Sequence, residues 1–511
     1  MSGLFYTFNM FKSGMGAQQT AINVITHNIT NADTDGYSRQ RATMVTTRPI
    51  GMTSLNSTAG PGMIGTGVGV DEISRARDIF LDVQLRNEVA THGKYAAREE
   101  FLSNIEVMAM EPSFKEGPGI SVLMGKMWDS WQELSNNPES PNTKTGVVET
   151  TKTLTDSMNH IYNQLEGLKE HSNILMEGKV TDLSNKVNQV IDLNRQIAGI
   201  TAVGQRPNDL LDKQDLLIDQ IAEMVNIDVS RDSLGQATIK IKNSDVVLVG
   251  KDRKTLSFDN NNVSLKWTDL KGNKTDASLE NGSIAGYMSV HNEILKYEDQ
   301  LNALAKAIAY SINTVHNDGT LPGDPSYVSI LVANGVGTEG TLDNENAINA
   351  GNITVNSTLQ KNSSAIKAGK TNKPGEEGDG SGALAIAQLR DVRFDIEQFQ
   401  AASGKKRDDN DFIYDKGNMR IESNDSGITL DGYYRNYIIE MGSSSRQAKG
   451  MVEAQSDLME QLNVRKESAS GVNRDEETAN LIQHYHSFNA AAKGVSVIDD
   501  MLDTVINKLI R

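Results

Sequence analysis

Apolar residues recur along the opening stretch at alternating spacings of four and three: Leu4, Phe8, Phe11, Met15, Ile22, Ile25 and Ile29. Gln18 is the one polar residue in the series. That spacing places them on one helix face as a heptad-like seam, which needs another helix to cover it. The end of the chain carries a second seam. Leu481, Phe488, Val495, Leu502 and Leu509 recur every seven residues, with Ala491, Ile498 and Val505 on the alternate line. Two such stripes at opposite ends predict that the N- and C-terminal helices return to each other and pair as a coiled coil. Everything between them is then inserted.

Helical periodicity continues inside. Between residues 142 and 206 there is no proline, and Leu154, Met158, Ile161, Leu165, Leu168 and Leu175 hold one register. Leu183, Val187, Val190 and Ile197 resume it after a gap, which predicts a long helical element interrupted near Gly178. Further seams run through Ile294, Tyr297, Leu301, Leu304, Ile308 and Val315, and more weakly through Met441, Ala448, Val452, Met459 and Leu462. These make a long-helix bundle in the middle of the chain.

Two sections break the pattern. From about 229 to 280 the texture alternates, as in "ATIKIKNSDVVLVG" and "NNNVSLKW", which predicts strands and turns. From about 318 to 380 the chain is rich in Gly, Asn, Ser and Thr. It holds a short strand in "NITVNST" and an exposed loop in "TNKPGEEGDGSG". The fold class expected is mainly α with β-rich insertions, an elongated multi-domain rod. Residues 1–60 with 465–511 form the terminal coiled-coil domain, and 61–228 with 281–317 and 381–464 the helical rod domain. Residues 229–280 form a β-rich subdomain, and 318–380 an outward-facing β or irregular insertion.

The first helix stops at "NITNADTDGYSRQR", residues 28–41. Asn28, Asn31, Asp33 and Gly36 are turn formers, suited to left-handed backbone and local side-chain bonding. Tyr37, Ser38 and Arg39 then begin an extended arm toward the rod domain.

Composition narrows the chemistry. The 511 residues carry a net charge of −17 with no run of Lys or Arg, which argues against a nucleic-acid binder. The absence of cysteine excludes disulfides and thiolate metal sites. No apolar stretch reaches spanning length, so no membrane insertion is expected. The N-terminus has periodic apolar residues in place of the continuous core of a cleavable signal. No catalytic constellation stands out, and no enzyme, cofactor or metal site is expected. His484 and His486 point to different sides of a helix. "GTGVGV", residues 65–70, reads as a turn entering an extended segment. The acidic "DLLDKQDLLIDQ", residues 209–220, reads as the solvated face of a helix.

The two terminal motifs together resemble those of the bacterial flagellar axial proteins, the family of rod, hook and hook-associated subunits. "GYSRQ" matches its N-terminal signature, although Asp35 stands where proline is common. "IGTGVGVDEISRARDIFLDVQLR" looks like the segment that follows, and "RPNDLLDKQDLLIDQIAEMVNI" is similar to a central helix of the family. "SGVNRDEETANLIQHYHSFNAAAKGVSVIDDMLDTVINKL" is close to the C-terminal pattern, with residues 484–487 departing from it. Ser38-Arg39-Gln40, and "SGVN" with "DEE", favour the hook–filament junction members over a hook or distal rod protein, the alternative. The resemblance implies a structural subunit of the extracellular flagellum, exported without a cleavable signal. Implied partners are copies of itself, the hook protein, a second hook-associated junction protein, and an export chaperone on the C-terminal helix. Assembly residues would be the two seams with Asn31, Gly36, Tyr37 and Arg39. The terminal helices would form an inner tube, with the β-rich sections facing outward.

Overall fold

The computed structural model describes residues 2–48, 65–109, 119–259, 262–370, 378–401, 405–408 and 412–505. Leu509 and residues 371–377 of the glycine-rich loop lie outside them. The chain is mainly helical with small antiparallel sheets. It divides into two compact units, one of residues 1–93, 178–285 and 453–511, the other of 94–177 and 286–452.

In chain order the elements begin with α1 (Ser2–Thr30), β1 (Gln40–Thr46), β2 (Val68–Arg75), α2 (Ile79–Ala109), α3 (Ile120–Asn136), α4 (Pro141–Thr201) and α5 (Asn208–Met224). Six strands follow: β3 (Ile227–Arg231), β4 (Ala237–Ile241), β5 (Val247–Val249), β6 (Thr255–Asp259), β7 (Ser264–Thr268) and β8 (Lys274–Asp276). Next come α6 (Ser283–His316), β9 (Leu331–Ala333), α7 (Leu342–Asn346), β10 (Ile353–Val355), α8 (Ser357–Lys361) and α9 (Ser381–Ala387). The short pair β11 (Tyr414–Asp415) and β12 (Arg420–Ile421) precedes the long helices α10 (Leu430–Ser470) and α11 (Arg474–Asp503).

In the first unit α1 packs on α11, as the two seams require. The extended arm does not run away from this pair. β1 pairs antiparallel with β2, and the hairpin lies on α1. Two extended segments with unpaired ladder groups satisfy each other, a long-range pairing that local sequence does not reveal. The alternating region forms two three-stranded antiparallel sheets, β3-β4-β5 and β6-β7-β8, as its texture predicts.

Helix α4 is uninterrupted over 61 residues. The gap between Leu175 and Leu183 is bridged by Met176 and Val180, both buried, so the buried stripe runs on to Leu183 without a break. Gly178 sits on an exposed face with open space where a Cβ would point. One such glycine costs about 1 kcal/mol relative to alanine, which the flanking burial outweighs. Ser172 lies on the same buried stripe, ahead of the gap. In the fold it donates to the Tyr287 carbonyl at 3.4 Å.

The second unit holds an aromatic core. Trp131, Tyr297, Tyr310, Phe101 and Phe399 are all fully buried. Tyr310 meets Phe399 edge-on at 5.5 Å, and Phe101 meets Tyr287 edge-on at 6.0 Å. The apolar face of α3 packs on α9. The expected strand in "NITVNST" is β10, paired with β9.

Candidate assembly joint

Three contacts set the register of the terminal pair. Asn28 meets Glu477, Gln18 meets His484, and Phe11 lies against Gly494. The order falls along α1 as it rises along α11, so the helices are antiparallel. A Cβ at Gly494 would fall 2.5–2.7 Å from the Phe11 ring, so glycine is what lets the ring seat there. Gln18 Oε1 lies 2.6 Å from His484 Nδ1. The polar residue that breaks one seam thus faces a polar residue beside the other, a pairing that favours this register over its neighbours.

Where α1 ends, Asn31 donates from both its backbone and its side chain to the His27 carbonyl, at 3.1 and 3.0 Å. Gly36 has φ of +77°, and a Cβ there would fall 3.0 Å from the Leu216 side chain. Both the conformation and the close approach call for glycine. The chain then folds back past the buried side chain of Asn28, which uses its full bonding capacity. Its Nδ2 donates to the Gln40 carbonyl at 2.8 Å and to Glu477 at 2.9 Å. Its Oδ1 accepts from the Tyr37 hydroxyl at 2.7 Å and the Gln40 backbone N–H at 2.9 Å.

Tyr37 gives its proton to Asn28, so His27 Nδ1 is the donor in the 2.9 Å contact with the phenol oxygen. Burial pushes the Tyr37 phenol well above its ordinary range, and Asp209, Asp212 and Glu477 push it further. It therefore stays a donor. Arg39 ties the turn to the C-terminal segment. Its backbone N–H donates to the Ser470 carbonyl at 2.9 Å, and its guanidinium contacts Glu477 at 2.7 Å and Glu476 at 3.2 Å. Asn473 caps α11 by accepting from the Asp475 and Glu476 backbone.

Beneath this turn lies a cluster of buried charges. Asp212, Asp215 and Asp219 recur on one face of α5 and are not its solvated side. Only Asp209, among the four aspartates of that helix, is largely exposed. Asp212 and Asp215 are buried against arginines because β2, α2 and β3 aim guanidiniums at them. Asp215 contacts Arg75 at 3.0 Å, Arg77 at 3.2 Å, Arg86 at 3.2 Å, and Arg231. Arg86 reaches Asp219 at 2.6 Å and Arg77 reaches Asp82 at 2.5 Å. Lys466 of α10 joins at 3.3 Å from Asp219. Burial alone would raise the Asp215 carboxyl, but Arg77, Arg231 and Arg75 hold it well below the usual carboxylate range. The Ser38 N–H donates to Asp212 at 3.1 Å, and Gln40 Nε2 donates to Asp209 at 2.8 Å. "GYSRQ" is thus the clasp between two chain ends and a buried ionic cluster.

The seam residues show a second pattern. Ile25, Ile498 and Leu502 are buried, whereas Leu4, Phe8, Phe11, Met15, Ile22, Ile29, Leu481, Phe488, Val495 and Val505 are only partly covered. Phe5, Ile482, Tyr485, Val497 and Met501 stand about half exposed. Sequence reasoning missed Asn28 as a contact residue, and it missed Glu477, Asp212, Asp215 and the four arginines. The signal was there in "RARD" and in the three-and-four spacing of the α5 aspartates. Nothing local, however, set one against the other.

Three family models match the chain. The flagellar hook-associated protein FlgK helical domain covers residues 103–326. The flagellar basal body rod FlgEFG protein C-terminal region covers 467–509, and the flagella basal body rod protein model covers 9–37. Flagellar hook-associated protein 1 of Bacillus subtilis is 27% identical over 99% of both chains. The Escherichia coli protein of the same name is 24% identical over 98% of this chain and 99% of its own. Along its whole length the chain is thus similar to flagellar hook-associated protein 1. The solved flagellar hook junction protein FlgK from Burkholderia pseudomallei shares the fold. Its TM-score is 0.58 at 14% identity, covering 76% of this chain and all of that one. In this chain the joint forms where the two terminal matches meet: Asn28 and Tyr37 come from one, Glu477 from the other. Among the described residues no helix is long and apolar enough to cross a membrane, and no group of acidic or histidine side chains is placed to hold a metal ion.

Proposed function

We propose that this chain is a structural subunit of the extracellular flagellum, set at the junction between hook and filament. The whole-length relationship to hook-associated protein 1 carries this reading. The rod-protein matches at the termini fit the general axial family, but they cover only the ends. Its partners are copies of itself, the hook protein, and a second hook-associated junction protein. An export chaperone covers α11 before assembly.

The half-covered seams support a mechanism. Each fully buried Leu, Ile or Phe contributes roughly 1.5–3 kcal/mol before ordering entropy. The terminal pair leaves much of that unrealised in one chain, and neighbouring subunits complete the cover. The terminal helices then form the inner tube of the assembly. Deletion of the gene tests the reading: cells should carry hooks without filaments and lose filament protein to the medium. Normal filaments on the deletion strain would defeat it.

A further inference from the structure

Asparagine is followed by glycine twice in the sequence, at Asn281-Gly282 and Asn334-Gly335. The pair is chemically labile, because the glycine nitrogen closes on the asparagine amide carbon with no side chain in its way. The fold treats the two pairs differently. At the turn into α6, the Gly282 N–H donates to the carbonyl of buried Ala90 at 2.9 Å. A Cβ on Gly282 would collide with the Met224 carbonyl, so the backbone there is also tightly packed. The nitrogen that would attack is already engaged. In the turn after β9, Asn334 is exposed, and a Cβ on Gly335 would meet nothing within 4 Å. Neither the Asn334 side-chain amide nor the Gly335 N–H has a hydrogen-bond partner among the described residues. The turn is anchored on both sides of them. The Asn334 backbone N–H donates to the Asn352 carbonyl at 2.8 Å, and Asn344 Nδ2 holds the Ala333 and Val336 carbonyls at 2.8 and 2.6 Å. Gly335, Gly337 and Gly340, with φ of +72°, +60° and +82°, leave the chain beyond free to rotate at low cost.

We propose that Asn334 is a site of spontaneous covalent modification, deamidation through a cyclic imide, from which the fold protects Asn281. A base takes the Gly335 N–H proton, and the nitrogen attacks Asn334 Cγ. The N–Cγ bond forms, the Cγ–Nδ2 bond breaks, and Nδ2 leaves as ammonia. Water then opens the five-membered succinimide. Addition at Cγ gives aspartate. Addition at the main-chain carbonyl gives isoaspartate, whose backbone runs through the former side chain. One water is consumed, one ammonia is released, and a negative charge is added at the end of β9. Isoaspartate also inserts a methylene between the two carbonyls that Asn344 holds and so strains that clamp, whereas aspartate leaves it intact.

Incubation of the folded full chain at mildly alkaline pH tests the site, with peptide mapping by mass spectrometry and isoaspartate labelled by a protein isoaspartyl methyltransferase. The peptide carrying Asn334 should convert at least about tenfold faster than the one carrying Asn281, the ratio that one buried hydrogen bond supplies. In the urea-unfolded chain the two should convert at similar rates, because the fold no longer distinguishes them. Asn334→Gln, whose longer side chain would need a six-membered ring, should remove the fast conversion and its isoaspartate label. The same variant should leave conversion of Asn281 and the thermal midpoint unchanged, since the altered side chain is exposed. Conversion of Asn334 no faster than that of Asn281 in the folded chain overturns the proposal. Retention of the full ratio in urea overturns it too, because the preference would then lie in the local sequence and not in the fold.

Discussion

The paired termini and the aromatic core of the second unit use apolar side chains in opposite ways. In the core, Phe101, Trp131, Tyr297 and Tyr310 are wholly enclosed by their own chain. At the termini, residues of the same hydrophobic character are about half open, as with Ile482, Val497 and Met501. The first arrangement stabilises a fold already complete. The second leaves a surface whose burial requires another molecule. Within one chain the partly covered seam is supplemented by the polar joint of Asn28, Tyr37, Arg39 and Glu477 above the aspartate–arginine cluster.

The largest expected effect tests the closed side of that contrast. Phe101→Ala should lower the unfolding free energy by about 3–5 kcal/mol in urea denaturation, because the site is fully enclosed. A loss under about 1 kcal/mol would mean the core collapses around the cavity and is less rigid than its burial implies. Next comes the joint. Asp215→Ala leaves four guanidiniums without their shared carboxylate and should cost about 3–4 kcal/mol. Protection of the Ser38 and Gln40 amides from hydrogen exchange should fall with it, and unchanged protection would detach the cluster from the clasp.

A pH titration separates the two regions. Burial, and then the nearby Lys367, pull the His316 imidazole down from 6.5 to about 4. The unfolded chain therefore takes up the proton first. The contribution of neutral His316 is complete above about pH 6.5 and is lost as pH falls toward 4, a change of about 3 kcal/mol. Comparison of wild type with His316→Gln isolates it from Glu345, whose carboxyl burial pushes up and which acts in the opposite sense. Asp215, held low, keeps its contribution through that window and loses it only at more acid pH. Identical pH slopes for wild type and His316→Gln would refute the assignment.

The smallest effect on stability is predicted at the open surface. Ile482→Ser, Val497→Ser and Met501→Ser should each change monomer stability by no more than about 0.5 kcal/mol, since those side chains are already half in water. The triple variant should nevertheless fail to add to hook tips in an incorporation assay. Normal incorporation would mean the exposed face is not where subunits meet.

Periodicity alone made much of this fold legible. The seams of α1, α11, α6 and α10 and the alternation of β3 to β8 are local signals, because helical and strand spacing impose themselves within a few residues. The turn at Gly36 was readable for the same reason. The continuity of α4 was missed because its buried stripe shifts phase from Leu175 to Met176 and Val180. Asp212 and Asp215 looked solvated because a carboxylate on an amphipathic helix usually is. Their burial depends on arginines more than a hundred residues away in Arg75, Arg77 and Arg86.

By itself, then, the amino-acid sequence determined the element types, the pairing of the chain ends, the family resemblance and the stopping point of the first helix. The tertiary structure decided the antiparallel register of the ends, the return of β1 onto α1, and the partners of every buried charge. The physical reason is one of range. Hydrophobic spacing acts along the chain. A charge can be buried only once opposite charges from distant segments have been brought within hydrogen-bonding distance.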